Sequence, residues 1–136
     1  MALTDAIAVL LKKKDHLLRD DRILCYDTFT YGPFATADGT GNKAEWVMPY
    51  AGEVVEVLYG AESDTVDGQF NVENDGSDIF SAEKTDWGAG VFNAEPDQNK
   101  TFVRGAKLRV DVSNAGTAVV NGAVTVVVAF YKHTKK

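Results

Sequence analysis

Hydrophobic and polar positions follow two different periods along this chain. Around residues 4–18, Leu3, Ile7, Leu10, Leu11, Leu17 and Leu18 recur close to every 3.6 residues, which predicts an amphipathic helix with one apolar stripe. Thr4 or Asp5 can cap its N-terminus, Lys12 to Lys14 suit the negative end of its dipole, and Asp20-Asp21 mark its stop. An isolated helix of this length is marginal in water, so the stripe must lie against something. That something is either the core of the same chain or a partner.

From Arg22 onward the period shortens to two. Ile23, Cys25 and Phe29 alternate with more polar neighbours until Tyr31-Gly32-Pro33 interrupts the run. Residues 35–45, rich in Gly, Thr, Ala, Asp and Asn, predict a mobile loop. Trp46 to Met48 begins a strand that Pro49 interrupts, and Gly52 precedes the β-branched run Glu53 to Tyr59. Gly60 to Gly68 reads as a turn region. Short strands are expected at Phe70 to Glu73 and around Ile79-Phe80, separated by the turn tripeptide Asn74-Asp75-Gly76.

Residues 82–100 show little periodicity and predict a long surface loop. The clearest alternation is Lys107 to Val112, which assigns Leu108, Val110 and Val112 to a buried face and their charged neighbours to solvent. After turns at Asn114 to Gly116 and Asn121-Gly122, the run Val124 to Tyr131 is apolar on both faces and is therefore central or covered. The tail Lys132 to Lys136 is expected to be exposed. Together these patterns predict a mostly β fold, an antiparallel β-sandwich or jelly-roll-like barrel (residues 22–136) with an N-terminal helical arm (residues 1–21). A related barrel or an immunoglobulin-like sandwich fits the same periodicity.

Composition narrows the class. The 136 residues suffice for one core, and 45% hydrophobic with 25% charged residues is neither a disordered nor a membrane-like balance. No apolar run approaches the roughly 20 residues of a spanning helix. Asp5 before Ala6 to Leu11 and three lysines after it reverse the order of a secretory signal, so a reducing, soluble setting is expected. The net charge of −6 divides unevenly: +1 over residues 1–22, −11 over 23–106 and +4 over 107–136. An acidic middle with no basic stripe is a poor match to a phosphate backbone, which argues against direct nucleic-acid binding.

Candidate chemistry is sparse. Cys25 is the one cysteine, which excludes an intrachain disulfide and reads as a small buried hydrophobe. His16 and His133 are the two histidines, one in the helix and one in the tail, and no motif surrounds Cys25 to make it a nucleophile. Glu73, Asp75 and Asp78 crowd one turn but lack the closing ligand of a calcium loop, so a solvated turn is expected. No cofactor is expected, and no catalytic residue. Trp46, Trp87, Tyr50 and Tyr59 are the residue types that stack on sugar rings. Trp46 is expected in the core, and Trp87, in Thr85-Asp86-Trp87-Gly88-Ala89-Gly90, fits core burial, a protein contact or a glycan contact.

Two stretches, Trp46-Val47-Met48-Pro49-Tyr50-Ala51-Gly52-Glu53-Val54-Val55-Glu56-Val57 and Phe102-Val103-Arg104-Gly105-Ala106-Lys107-Leu108-Arg109-Val110-Asp111-Val112, share the order of apolar residues, glycine and strand. With Val72-Glu73-Asn74-Asp75-Gly76-Ser77-Asp78-Ile79-Phe80 between them, they resemble small β-rich proteins of tailed-phage heads: decoration, cement and head-fibre proteins. The resemblance covers about residues 44–131. It implies a jelly-roll-like domain that binds the major capsid protein at symmetric positions, commonly as a homotrimer, and reinforces the expanded head. Such a protein is made in the host cytoplasm and resides on the virion. The helix departs from the extended N-terminal arm of the simplest members. On this reading the partner-binding residues are Leu3, Ile7, Leu10, Leu11 and Trp87. The alternatives are a carbohydrate-binding sandwich module, with Trp87 and Tyr50 as its platform, and a head- or tail-fibre component.

Overall fold

The computed structural model describes residues 22–63, 67–85 and 88–133. The predicted helix, with Leu3, Ile7, Leu10, Leu11 and His16, lies outside the described residues, as do Trp87 and the tail residues 134–136.

Among the described residues ten strands, numbered in chain order, form two antiparallel sheets. In the first, β1 (Arg22–Phe34) pairs with β10 (Gly122–His133), β10 with β3 (Gly52–Gly60), and β3 with the short β7 (Phe92–Ala94) and β8 (Thr101–Phe102). In the second, β2 (Gly41–Val47) pairs with β9 (Lys107–Asn114), β9 with β4 (Gln69–Asn74), and β4 with β5 (Ser77–Asp78) and β6 (Lys84–Thr85). The mostly β character expected from the sequence is thus observed, and the sheets curl into a half-barrel around one shared core.

The core follows from alternation. Val124, Val126, Val128 and Phe130 of β10 point inward beside Val54 and Val57 of β3, and they meet Phe70 and Val72 of β4 and Leu108, Val110 and Val112 of β9. Rings join the sheets at two places: Tyr59 meets Phe70 at 5.1 Å between centroids, and Phe29 meets Trp46 at 5.6 Å. The run apolar on both faces is the strand flanked on both sides, β10 between β1 and β3. Asn74-Asp75-Gly76 makes the predicted turn, with Asp75 and Gly76 at φ of 49° and 84° linking the pair Asn74↔Ser77 as a two-residue hairpin.

Several expectations are corrected. The predicted mobile loop at 35–45 is instead a 3-10 turn, Thr36–Asp38, followed by β2 from Gly41. Asp38 closes the turn by accepting the backbone N–H of Ala35 at 2.7 Å, and Gly41 and Asn42 become strand because β9 offers them backbone partners at Val112 and Asp111. Tertiary pairing overrides weak β propensity there. The segment 82–100 is no continuous loop, since it contains β6 and β7. Ile79 and Phe80 are fully buried but lie beyond the end of β5, because the buried Asn71 amide serves Phe80 in place of a strand: its Nδ2 donates to the Phe80 carbonyl at 2.9 Å and its Oδ1 accepts the Phe80 N–H at 3.3 Å. Trp46 packs against the core from its margin and is only partly buried, and Cys25, across from Phe130, is half-buried. Strand β10 also runs on past Tyr131, so that Lys132 and His133 of the basic tail are paired along the backbone with Ile23 and Arg22.

The parity of β9 gives a direct test. Val110→Asp should cost several kcal/mol, because it places a carboxylate among Val72, Leu108 and Val112 with no partner. Arg109→Ser, on the opposite face, loses only a partly exposed ion pair with Glu45 and should cost about 1 kcal/mol or less. Equal shifts in chemical denaturation of the two variants would contradict this register.

Candidate interaction surface

With both inner faces committed to one core, the outer faces are what the domain presents, and they differ in chemistry. On the second sheet most outward positions carry charge, Glu45 of β2, Lys107, Arg109 and Asp111 of β9, Glu73 of β4 and Asp78 of β5, with Val47 at the end of β2 an exposed apolar exception. Arg109 Nη2 meets Glu45 Oε1 at 3.2 Å and Lys107 Nζ meets it at 3.4 Å. The Arg109 hydrogen bond holds the Glu45 carboxyl below its ordinary range. Glu73 and Asp78, paired directly across β4 and β5, are both pushed up, first by partial desolvation and then by the charge of Asp111 and of other carboxylates nearby.

The three acids at this turn do not converge. Asp75 directs Oδ1 to the backbone N–H of Lys107 at 2.8 Å, and among the described residues no group of three or more His, Cys, Asp or Glu side chains could hold a metal ion. Among the described residues, the candidate sugar-stacking rings Trp46, Tyr50 and Tyr59 do not assemble either. Trp46 lies on Phe29, Tyr59 is wedged between Phe70 and Phe92, and Tyr50 meets Phe130 edge-on at 5.7 Å.

The first sheet is different. Its outward positions on β1 are Leu24, Tyr26, Thr28 and Thr30, which stand opposite Tyr131, Ala129, Val127 and Thr125 of β10. The Thr30 and Thr125 hydroxyls bond at 2.9 Å, which fixes them on the same face. Next come Leu58, Glu56 and Glu53 of β3. Leu24 is 51% and Tyr26 68% exposed, whereas Ala129, opposite Tyr26, is 1% exposed. An apolar strip therefore crosses the middle of this sheet, and carboxylates appear only on its β3 side.

At the far end the strip opens into a groove of about 490 Å³ walled by Leu58, Gly60, Ala61, Val91, Ala123 and Thr125. One wall is held by backbone: the Ala61 N–H donates to the Gly88 carbonyl and the Gly90 N–H to the Ala61 carbonyl, both at 3.1 Å. Only glycine fits at position 60, where a Cβ would stand 1.8 Å from the Gly90 carbonyl oxygen.

Of the sequence-predicted partner residues, Leu3, Ile7, Leu10, Leu11 and Trp87 fall outside the described residues, and the face found here was not among the candidates. Its signal was present in the sequence. Leu24 and Tyr26 occupy the parity read as the more polar side of β1, and they match the second apolar face of Val124 to Tyr131.

The raised carboxylates set a sign for pH dependence. A folded pKa above the unfolded value means that the folded state binds the proton more tightly, so these groups remove stability as pH rises from the ordinary carboxylate range through the folded value. Asp78→Asn should therefore raise the melting temperature at pH 7, and the gain should vanish near pH 3, where wild-type Asp78 is already neutral. A variant less stable than wild type at pH 7 in thermal unfolding would contradict this.

Comparison with models of protein families, with curated proteins and with solved structures returns no match.

Proposed function

We propose that this protein is an adhesive structural component of a tailed-phage head, a decoration or cement protein that binds the major capsid protein and reinforces the shell. The observation that carries the reading is the contrast between the two outer faces: one laced with charge, the other an apolar strip. A face that leaves Leu24 and Tyr26 in water is written for contact, and the opposite face for solvent. The strand order supports the jelly-roll version of the fold. Counting β5 with β6 and β7 with β8, eight strands divide as β1, β10, β3, β7/β8 and β2, β9, β4, β5/β6, the double Greek-key order of a jelly roll. The resemblance over residues 44–131 points the same way.

In this reading the work is adhesion without a chemical step. Leu3, Ile7, Leu10 and Leu11 of residues 1–21, with Trp87, anchor each copy to the shell, and a trimeric arrangement multiplies modest contacts. The acidic segment faces outward on the virion, and neither nucleic acid nor membrane is a partner. Among the described residues no helix is long and apolar enough to cross a membrane.

The test is co-sedimentation of the purified full-length chain with expanded phage heads stripped of decoration, followed by cryo-electron microscopy. Occupancy at symmetric positions is expected, with binding weakened about a hundredfold or more by Ile7→Glu with Leu11→Glu, as burying two charged groups at an apolar contact requires. A chain that ignores the shell but is retained by immobilised glycans would replace this reading with the carbohydrate-binding one.

A further inference from the structure

We propose that in the free protein the apolar stripe of residues 3–18 lies over the outer face of the first sheet, on Leu24, Tyr26, Val127 and Tyr131. The inference takes up the same stripe that the shell reading assigns to docking, but it concerns the unassembled chain and stands whatever the shell partner is.

Connectivity comes first. Residue 21 joins Arg22 at the start of β1, where Arg22 pairs with His133, two residues from Leu24 and its cross-strand neighbour Tyr131. The face therefore begins where the segment enters the domain, and Arg19, Asp20 and Asp21 are enough chain to reverse direction. Length comes second. Fifteen helical residues span about 22 Å, and the outward positions from Leu24 to Thr30 of β1 span about 20 Å at a strand's rise. A helix laid along this strip covers it from end to end.

Charge gives a third, independent match. The strip itself carries no ionised side chain between Leu24 and Thr30 on the outward parity of β1, and its β3 side carries Glu53 and Glu56. The incoming segment brings Lys12, Lys13 and Lys14 beside its stripe. The second sheet also carries carboxylates, Glu73, Asp78 and Asp111, but it mixes them with Lys107 and Arg109 on a charged outer face and offers no strip like that of Leu24 and Tyr26 for the apolar stripe. Finally, each surface needs the other: the stripe is marginal as an isolated helix, and the strip leaves large apolar side chains in water.

The test is hydrogen–deuterium exchange of the full-length protein, read peptide by peptide, for wild type and for Tyr26→Glu. Tyr26 is mostly solvent-exposed within the described domain, so the substitution leaves the core alone. Amides of residues 5–18 should be protected in the wild type, and Tyr26→Glu should cut that protection about tenfold or more while the strands β9 and β10 keep theirs. Exchange of residues 5–18 at the rate of an unstructured peptide in the wild type would overturn the proposal. So would protection that Tyr26→Glu leaves untouched. Protection that disappears on dilution, together with a concentration-dependent mass in analytical ultracentrifugation, would also overturn it by giving the face to a second copy. A failure here leaves shell binding by co-sedimentation unaffected, so the two readings fail separately.

Discussion

Each sheet of this domain can bury only one face, and each buries it against the other. Val57, Val126 and Val128 of the first sheet and Phe70, Val72 and Val110 of the second are almost wholly removed from water by that single contact. Because strand side chains alternate, committing one parity to the core delivers the other parity to the outside without further choice. The chemistry of the two outer faces is therefore the part of the sequence free to answer to function. One face was filled with Glu45, Arg109, Glu73 and Asp111, the other with Leu24, Tyr26, Thr28 and Thr30. A slip of one residue in β1 would exchange the two parities, putting Thr28 or Thr30 where Phe29 packs and turning Tyr26 inward.

How much of this was legible depended on whether the information was local. The alternation of Leu108, Val110 and Val112, the turn at Asn74-Asp75-Gly76 and the central position of Val124 to Tyr131 were all readable, because propensity, period and turn chemistry agreed within a few residues. Segments whose structure is imposed from a distance were not. Gly41 to Ala44 has the composition of a loop and is a strand only because β9 lies beside it, and Phe92 to Ala94 is recruited by β3 in the same way. Ile79 and Phe80 were read as a short strand, but the Phe80 backbone is tied by the side chain of Asn71, a contact that no periodicity encodes. The apolar outer face was hidden for a different reason. Alternation in β1 was read as one apolar and one polar set, whereas Leu24 and Tyr26 make the second set apolar as well.

The ends of the half-barrel are closed by devices equally dependent on distant partners. Gly60 admits the Gly90 carbonyl where any side chain would block it, and Gly122 leaves room for the Phe34 ring, which would stand 2.6 Å from an added Cβ. These close approaches shape the groove at the end of the apolar strip, since Gly60, Gly90 and Ala123 form its walls. Surface chemistry and backbone packing are therefore not separable here: the same glycine that lets one loop close against β3 also sets the depth of the groove beside Leu58.

Magnitudes explain why a surface of this kind suits adhesion by many copies better than tight binding by one. Full burial of a large apolar side chain contributes roughly 1.5–3 kcal/mol, and Leu24 and Tyr26 are already partly covered, so each adds less than that. Association costs several kcal/mol in lost rigid-body freedom before any net affinity appears. A strip with two strongly exposed apolar side chains and a few half-buried neighbours therefore leaves little surplus for an isolated copy. Repetition changes the arithmetic, because each further contact in a symmetric assembly is made at high effective concentration and avoids most of that cost. The charged face of the second sheet then has a complementary task. In the shell lattice proposed above, the excess of carboxylates in the central segment would keep outward surfaces hydrated and mutually repelling, and so would direct association to the apolar face.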